Sequence, residues 1–170
     1  MRFIELSRNR YSCKSFSDKR IKSEDLELIL EAGKNAPTAK NLQPQHIYVL
    51  ESSEALAKLD SATPCRYNAK TVLVVAFNKF NVFTYPGGKR DSGIEDATII
   101  ATHMMLEAAD LGIDSCWVNF FDPEDLKNKL SLPDEEEILM VLDLGYKSET
   151  AGPLPNHNSR KDLKDTVTKM

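Results

Sequence analysis

The stretch from Ser92 to Leu111 constrains the fold more than any other part of the chain. Ile94, Ala97, Ile100, Ala101, Met104, Met105, Ala108 and Leu111 recur at helical spacing and spread apolar groups around much of a helix. A helix so widely apolar needs neighbours on several sides, so it is predicted to be central and largely buried. Gly112 stands where a C-terminal cap belongs. The other strong signal is Thr71–Phe77 (TVLVVAF), a β-branched apolar run that reads as a strand covered on both faces.

Around these two elements the pattern is regular. Residues 2–8 read as a short helix. Ser23 is placed to cap a second helix, with Glu24 and Asp25 in its first turn and Leu26, Ile29, Leu30 and Gly33 on one face. Pro37 ends that run, and 38–45 is a polar loop. His46–Leu50 reads as a strand and Ser53–Ser61 as an amphipathic helix. Residues 78–92 form a polar loop, Ser115–Phe120 a strand, and Asp122-Pro123 a helix start running to about Leu130. Ile138–Gly145 is the last strand. The connections are too short for right-handed crossover units throughout, which favours an α+β fold, a mixed, mainly antiparallel central sheet flanked by helices. Residues 1–147 form one domain. From Ser148 the chain turns polar, with Pro153 and Pro155, and 148–170 reads as an arm that packs on a partner subunit.

At 170 residues the chain is long enough to bury a core without metals or disulfides. No apolar run approaches the roughly 18 residues of a membrane span, and the N-terminal stretch lacks the apolar core of a signal peptide. The odd number of cysteines (Cys13, Cys65, Cys116) and the lack of a C-x-x-C read as free thiols in a reducing compartment, so the expected location is cytoplasmic.

Charge is distributed unevenly. Net charge is −4, yet the first 22 residues hold seven bases against two acids, Glu5 and Asp18. A local basic patch on an acidic protein points to a small anion rather than a nucleic-acid duplex. Arg10, Ser12 and Lys14 alternate, so in an extended segment they face one side. Two cations and a hydroxyl there make a cradle for a phosphate and a polar ring edge.

Other chemistries fail on their requirements. There is no G-x-G-x-x-G, and Gly87-Gly88-Lys89-Arg90 lacks the P-loop glycine and hydroxyl, Phe83 and Arg90 standing in their places. His46, His103 and His157 show no metal-ligand spacing, and His103 reads as a core histidine. No G-x-S-x-G occurs. Cys116, in a buried strand, reads as a small core residue rather than a nucleophile.

Several segments, in order, are similar to one family. Arg10-Tyr11-Ser12-Cys13-Lys14-Ser15-Phe16 resembles the N-terminal Arg-Arg-Ser-x-Arg-x-Phe motif of the nitroreductases, the FMN-dependent NAD(P)H oxidoreductases. Ala36-Pro37-Thr38-Ala39-Lys40-Asn41-Leu42-Gln43-Pro44-Gln45 resembles their Ala-Pro-Ser-x-x-Asn-x-Gln-Pro-Trp segment. Leu111-Gly112 through Trp117-Val118 resembles their Leu-Gly-x-x-x-x-Trp strand, and Gly145-Tyr146 and Arg160-Lys161 also fall in place. The resemblance spans nearly the whole chain.

It implies FMN at the interface of an intertwined homodimer. Arg10, Ser12 and Lys14 would contact phosphate, ribityl chain and pyrimidine edge. Pro37, Thr38 and Asn41 would come from the partner, and Trp117, Val118 and Asn119 would present backbone near flavin N5. Arg160 would return to the phosphate, with Asn68 close to the ring. NAD(P)H and a small electron acceptor, a nitro compound or quinone, would use one open face in turn. The chain departs from the pattern at Lys14 (usually Arg), Gln45 (usually Trp) and Asn119-Phe120 (where Gly is common). Two other expectations compete: a flavin-binding sensor or storage protein of the same fold, and a flavin-free anion-binding interaction module.

Overall fold

The computed structural model describes residues 2–170. Its elements, in order, are α1 (Phe3–Asn9), α2 (Ser23–Lys34), β1 (Gln45–Leu50), α3 (Ser53–Asp60), β2 (Thr71–Asn78), α4 (Gly93–Asp110), β3 (Asp114–Val118), α5 (Pro123–Leu130) and β4 (Glu136–Gly145), with single 3₁₀ turns at Ala39–Asn41 and Leu163–Asp165. The four strands pair in the order β1-β2-β4-β3, every pair antiparallel. Among the described residues, parallel pairing is confined to one bridge, Ser12 to Ser115, where the N-terminal segment runs along the outer edge of β3.

Seven of the eight residues of β2 are buried, as a strand at the centre of a three-layer sandwich requires. Leu73, Val75 and Phe77 face α2 and α4, and Val72, Val74 and Ala76 face the side that α3 and α5 cover. A bulge between Val75 and Ala76 leaves Leu139 without a partner on β2. Past it, Met140, Leu142 and Leu144 point to α4, while Ile138 and Val141 share the opposite face.

Helix α4 lies across the sheet with Ala97, Ile100, Ala101, Met104 and Ala108 buried. Close packing explains two glycines. A Cβ on Gly33 of α2 would stand 2.7 Å from Met104 Cγ, and one on Gly93 would stand 2.3 Å from the Phe77 ring. The helix is not buried all round, however. Ile94 is 62% exposed, and Ile99 is also exposed, so the apolar circumference exceeds what one chain covers.

Local signals mark most boundaries. Asp122 caps α5, its carboxylate accepting from the Glu124 and Asp125 amides, and Ser52 caps α3 through the Ala55 amide. Three expectations are corrected. Ser23 is the first residue of α2, and the cap is Lys22, without a side-chain bond. Strand β3 stops at Val118, so Asn119 and Phe120 lie beyond the sheet, both exposed. His103 is at the surface, not in the core; its Nδ1 sits 2.8 Å from the Ile99 carbonyl of the preceding turn.

Candidate functional site

The basic N-terminal segment becomes part of a site because both its flanks are tied down. The Cys13 amide donates to the Ser115 carbonyl at 2.9 Å, the Phe16 amide to Tyr67, and the Ser17 amide to Tyr146. Cys13 and Phe16 point inward and are buried, so Ser12 and Lys14 are turned outward. The alternation read from the sequence is therefore imposed by edge pairing to β3.

Two contiguous hollows open along this segment, sharing Ser12 and Leu154. One, of about 220 Å³, brings Arg10 together with His157 and Arg160 of the C-terminal arm. The other, of about 300 Å³, brings Lys14 together with Tyr67, Trp117, Val118 and Asn119. Seven of the residues singled out from the sequence thus line one continuous cleft, although 150 positions separate Arg10 from Arg160. No Asp or Glu lines either hollow. Arg10, Lys14 and Arg160 form no ion pair among the described residues; Arg10 rests against the Met105 sulfur, and Arg160 donates to the His157 and Ser159 carbonyls. Three uncompensated cations in an acid-free cleft, on a chain of net charge −4, form a focused positive field.

This donor set fits a phosphorylated planar cofactor. The Arg10–Arg160 end offers two guanidinium groups for a phosphate, and the Lys14–Trp117 end offers one ammonium and strand backbone for a polar ring edge. The arm contributes to its own chain here. The Ser148 amide donates to the Ser15 carbonyl at 2.9 Å, and His157 Nε2 lies 3.1 Å from the Arg8 carbonyl.

The remaining candidates lie elsewhere. Asn68 does not line the cleft; its amide donates to the Phe16 carbonyl at 3.1 Å, and its neighbour Tyr67 is the residue on the wall. Pro37, Thr38 and Asn41 sit at the far side of α4, away from this cleft. Asp96 holds them, its buried carboxylate accepting from the Ala39 amide at 2.8 Å and the Ser92 hydroxyl at 2.7 Å. Lys40, Asn41 and Gln43 all have positive φ, a conformation non-glycine residues adopt at a cost. The sequence reading missed Asp96, for which an acid in the first turn of a helix was the only local signal. It also missed Tyr67 and Cys65, which lie in a loop without a motif.

All three cysteines are free, and Cys13 and Cys116 are buried. Burial first, and the Asp143 carboxyl second, push the Cys116 thiol up to about 12, so it has no thiolate character near neutrality.

The chain thus combines an α+β sheet sandwich with a cationic cleft at the β3 edge. The chain belongs to the nitroreductase family, whose sequence profile matches residues 7–65 and 65–146. That membership makes it an oxidoreductase by class. A nitroreductase family protein from Clostridium difficile 630 has a crystal structure that superposes with a TM-score of 0.92 at 35% identity, covering 99% of this chain and 98% of that one. An FMN-dependent nitroreductase from Clostridium difficile R20291 gives a TM-score of 0.80 at 25% identity, covering 98% and 99%. A protein from Archaeoglobus fulgidus named "Putative NADH dehydrogenase/NAD(P)H nitroreductase" is 30% identical over 154 residues, 86% of each chain.

Proposed function

We propose that this chain is an FMN-dependent oxidoreductase that passes reducing equivalents from NAD(P)H to nitro compounds, quinones or similar small acceptors in a ping-pong scheme. The observation that carries this reading is the acid-free cleft holding Arg10, Arg160 and Lys14. Family membership and the FMN-dependent structural relative support it.

Bound FMN supplies the hydride chemistry; the protein supplies position and charge. Arg10 and Arg160 would hold the phosphate, with Ser12 donating to the ribityl chain. Lys14 would place its ammonium where negative charge develops at the N1–C2=O edge, a preorganised stabilisation that needs no rearrangement during the reaction. Trp117 and Val118 would orient the ring through strand backbone, with Asn119 just past the end of the strand. Both substrates would use one open face in turn.

The same reading includes a homodimer. Phe3 of α1 is 66% exposed, and Ile4, Leu28 of α2, and Ile94 and Ile99 of α4 are exposed with it. Phe3 lines a cleft of about 510 Å³ between α1, α2 and α4, and the others lie on the same three helices. Burying this face against a second copy would cover the uncovered side of α4. It would also let Pro37, Thr38 and Asn41 of one subunit reach the cofactor of the other. The arm beyond Arg160, where Leu163 and Val167 are exposed, would pack on the partner. Among the described residues no helix is long and apolar enough to cross a membrane. The three free cysteines support a reducing compartment, the cytoplasm, and the small basic patch on an acidic chain supports a small-anion rather than a nucleic-acid partner.

The test is direct. The purified protein is expected to be yellow, to retain FMN, and to bleach anaerobically with NADH or NADPH. A yellow protein that neither nicotinamide bleaches is a binding protein of the same fold; a colourless one that ignores added FMN removes the reading. Deleting residues from Ser148 onward is expected to lower both dimer content and flavin retention, read by light scattering and absorbance. A deletion variant that stays dimeric and yellow would show that the arm has neither role.

A further inference from the structure

The turn between β3 and α5 carries a side chain that the core does not use. Phe120 is 73% exposed and belongs to neither apolar cluster, whereas the next residue, Phe121, packs against the cluster that α3 and α5 cover. A single exposed phenylalanine is ordinary on a protein surface. Phe120 differs in two respects. It lines the hollow that holds Lys14, Tyr67 and Trp117, and its backbone is fixed there by a buried group.

That group is Thr63, in the loop between α3 and β2 and only 3% exposed. Its hydroxyl donates to the Phe120 carbonyl at 2.6 Å and accepts from the Cys65 amide at 3.2 Å. One buried hydroxyl therefore ties the Phe120 turn to the segment of Cys65 and Tyr67, and both line the same hollow. A buried hydroxyl adds little net stability but holds its partners in one geometry. The turn is pinned at other points as well. Trp117 Nε1 donates to Asn119 Oδ1 at 2.9 Å, the Phe121 amide donates to the Asn119 carbonyl at 3.0 Å, and Asp122 caps α5.

The hollow so bounded is aromatic and apolar, with Tyr67, Trp117, Phe120, Val118 and Leu154 on its lining and Lys14 as its one charged residue. Tyr67 and Trp117 are half-buried and Phe120 is exposed, so Phe120 is the ring that a molecule entering from solvent meets first. Flat aromatic rings gain offset-stacked or edge-to-face contact on such a surface; a compact inorganic ion gains none.

We propose that Phe120 sets acceptor specificity: it is the surface on which a flat aromatic acceptor, a quinone or nitroarene, rests in the cleft, and Thr63 is the positioning residue that holds it there. The proposal rests on the reading of the preceding subsection, which supplies FMN as the electron donor. Phe120 contributes contact only, and no bond forms or breaks on it.

Steady-state reduction of naphthoquinone and of ferricyanide, an acceptor without a ring, by the FMN-loaded protein and NAD(P)H tests this. Phe120→Ala is expected to lower the ratio of kcat/KM for naphthoquinone to that for ferricyanide roughly tenfold, chiefly through KM, as loss of an aromatic contact requires. Phe120→Tyr should restore the ratio. Thr63→Val keeps the volume but not the donor, and is expected to raise the naphthoquinone KM several-fold with kcat little changed; Thr63→Ser should restore it. An equilibrium measurement needs no turnover. Naphthol, a flat ring with nothing to reduce, is titrated into the oxidised protein and followed by the change in flavin absorbance, and its Kd should rise roughly tenfold in Phe120→Ala. An unchanged ratio or an unchanged naphthol Kd in a yellow Phe120→Ala variant overturns the proposal alone. A Thr63→Val variant with the wild-type KM removes Thr63 from it. A protein that binds no FMN overturns the preceding reading and this one together, and its lack of colour distinguishes that case.

Discussion

The two faces of the central sheet are packed by different rules. On the α2–α4 face the sheet presents Leu73, Val75, Phe77, Met140, Leu142 and Leu144, all apolar, and the helices approach closely enough to require glycine at positions 33 and 93. On the α3–α5 face the helices are short, and the buried set mixes Val72, Val74 and Val141 with Cys13, Cys116 and an unpartnered Asp143. The first face is optimised for burial. The second gives up some stability beside the cleft, in keeping with the general cost of functional sites. The cationic cleft opens on the second side because the N-terminal segment that carries Arg10, Ser12 and Lys14 pairs with the edge of β3.

Substitutions can break or sharpen this contrast. The largest effect is expected on the apolar face. Leu142→Ala leaves a cavity between β4 and α4 and should cost about 3 kcal/mol, measured by urea unfolding. A loss below about 1 kcal/mol would mean that the face is not the stabilising one.

Asp143→Asn is expected to have the opposite sign. The folded protein holds this carboxyl protonated up to about 9, whereas the unfolded chain ionises it near its ordinary 3.8. Between those values the folded state binds the extra proton, so the wild type loses stability as pH rises, and the loss levels off above about 9. The variant should therefore gain on the wild type across that window, by about 2 kcal/mol or more at neutral pH. Denaturation midpoints at pH 5, 7 and 9 would show it, and a constant difference across the three would refute the buried-acid assignment.

Arg10→Ala removes a charge-assisted contact at the phosphate end and should weaken FMN binding by roughly 1.5–3 kcal/mol, read by fluorescence quenching. Lys14→Met is expected to have the smallest effect and the most specific. It should slow anaerobic flavin reduction by NAD(P)H about tenfold while changing FMN affinity less. Reduction at the wild-type rate would remove Lys14 from its electrostatic role.

Much of this was legible in the chain itself. The long apolar helix, the all-buried strand and the helix start at Asp122 are local patterns, each set by a few neighbouring residues. The cradle of Arg10, Ser12 and Lys14 was legible too, since alternation alone separates it from Cys13 and Phe16. What could not be read was which distant groups meet it. Arg160 and Leu154 reach the cleft only because the arm folds back through Ser148 and His157. Asn68 was assigned to the ring, while its amide is used inside the fold, and the wall falls to Tyr67.

Sequence period and capping chemistry by themselves determined the elements, the order of the motifs and the sign of charge at the site, because those depend on residues a few positions apart. Only the tertiary structure decided that Asp143 lies without a partner behind Cys116. That outcome needs β3 and β4 side by side, in a register fixed by the strand pairing and turned by the bulge at Leu139. The desolvation that keeps its proton on is a property of the assembled core, contributed by residues from across the whole chain.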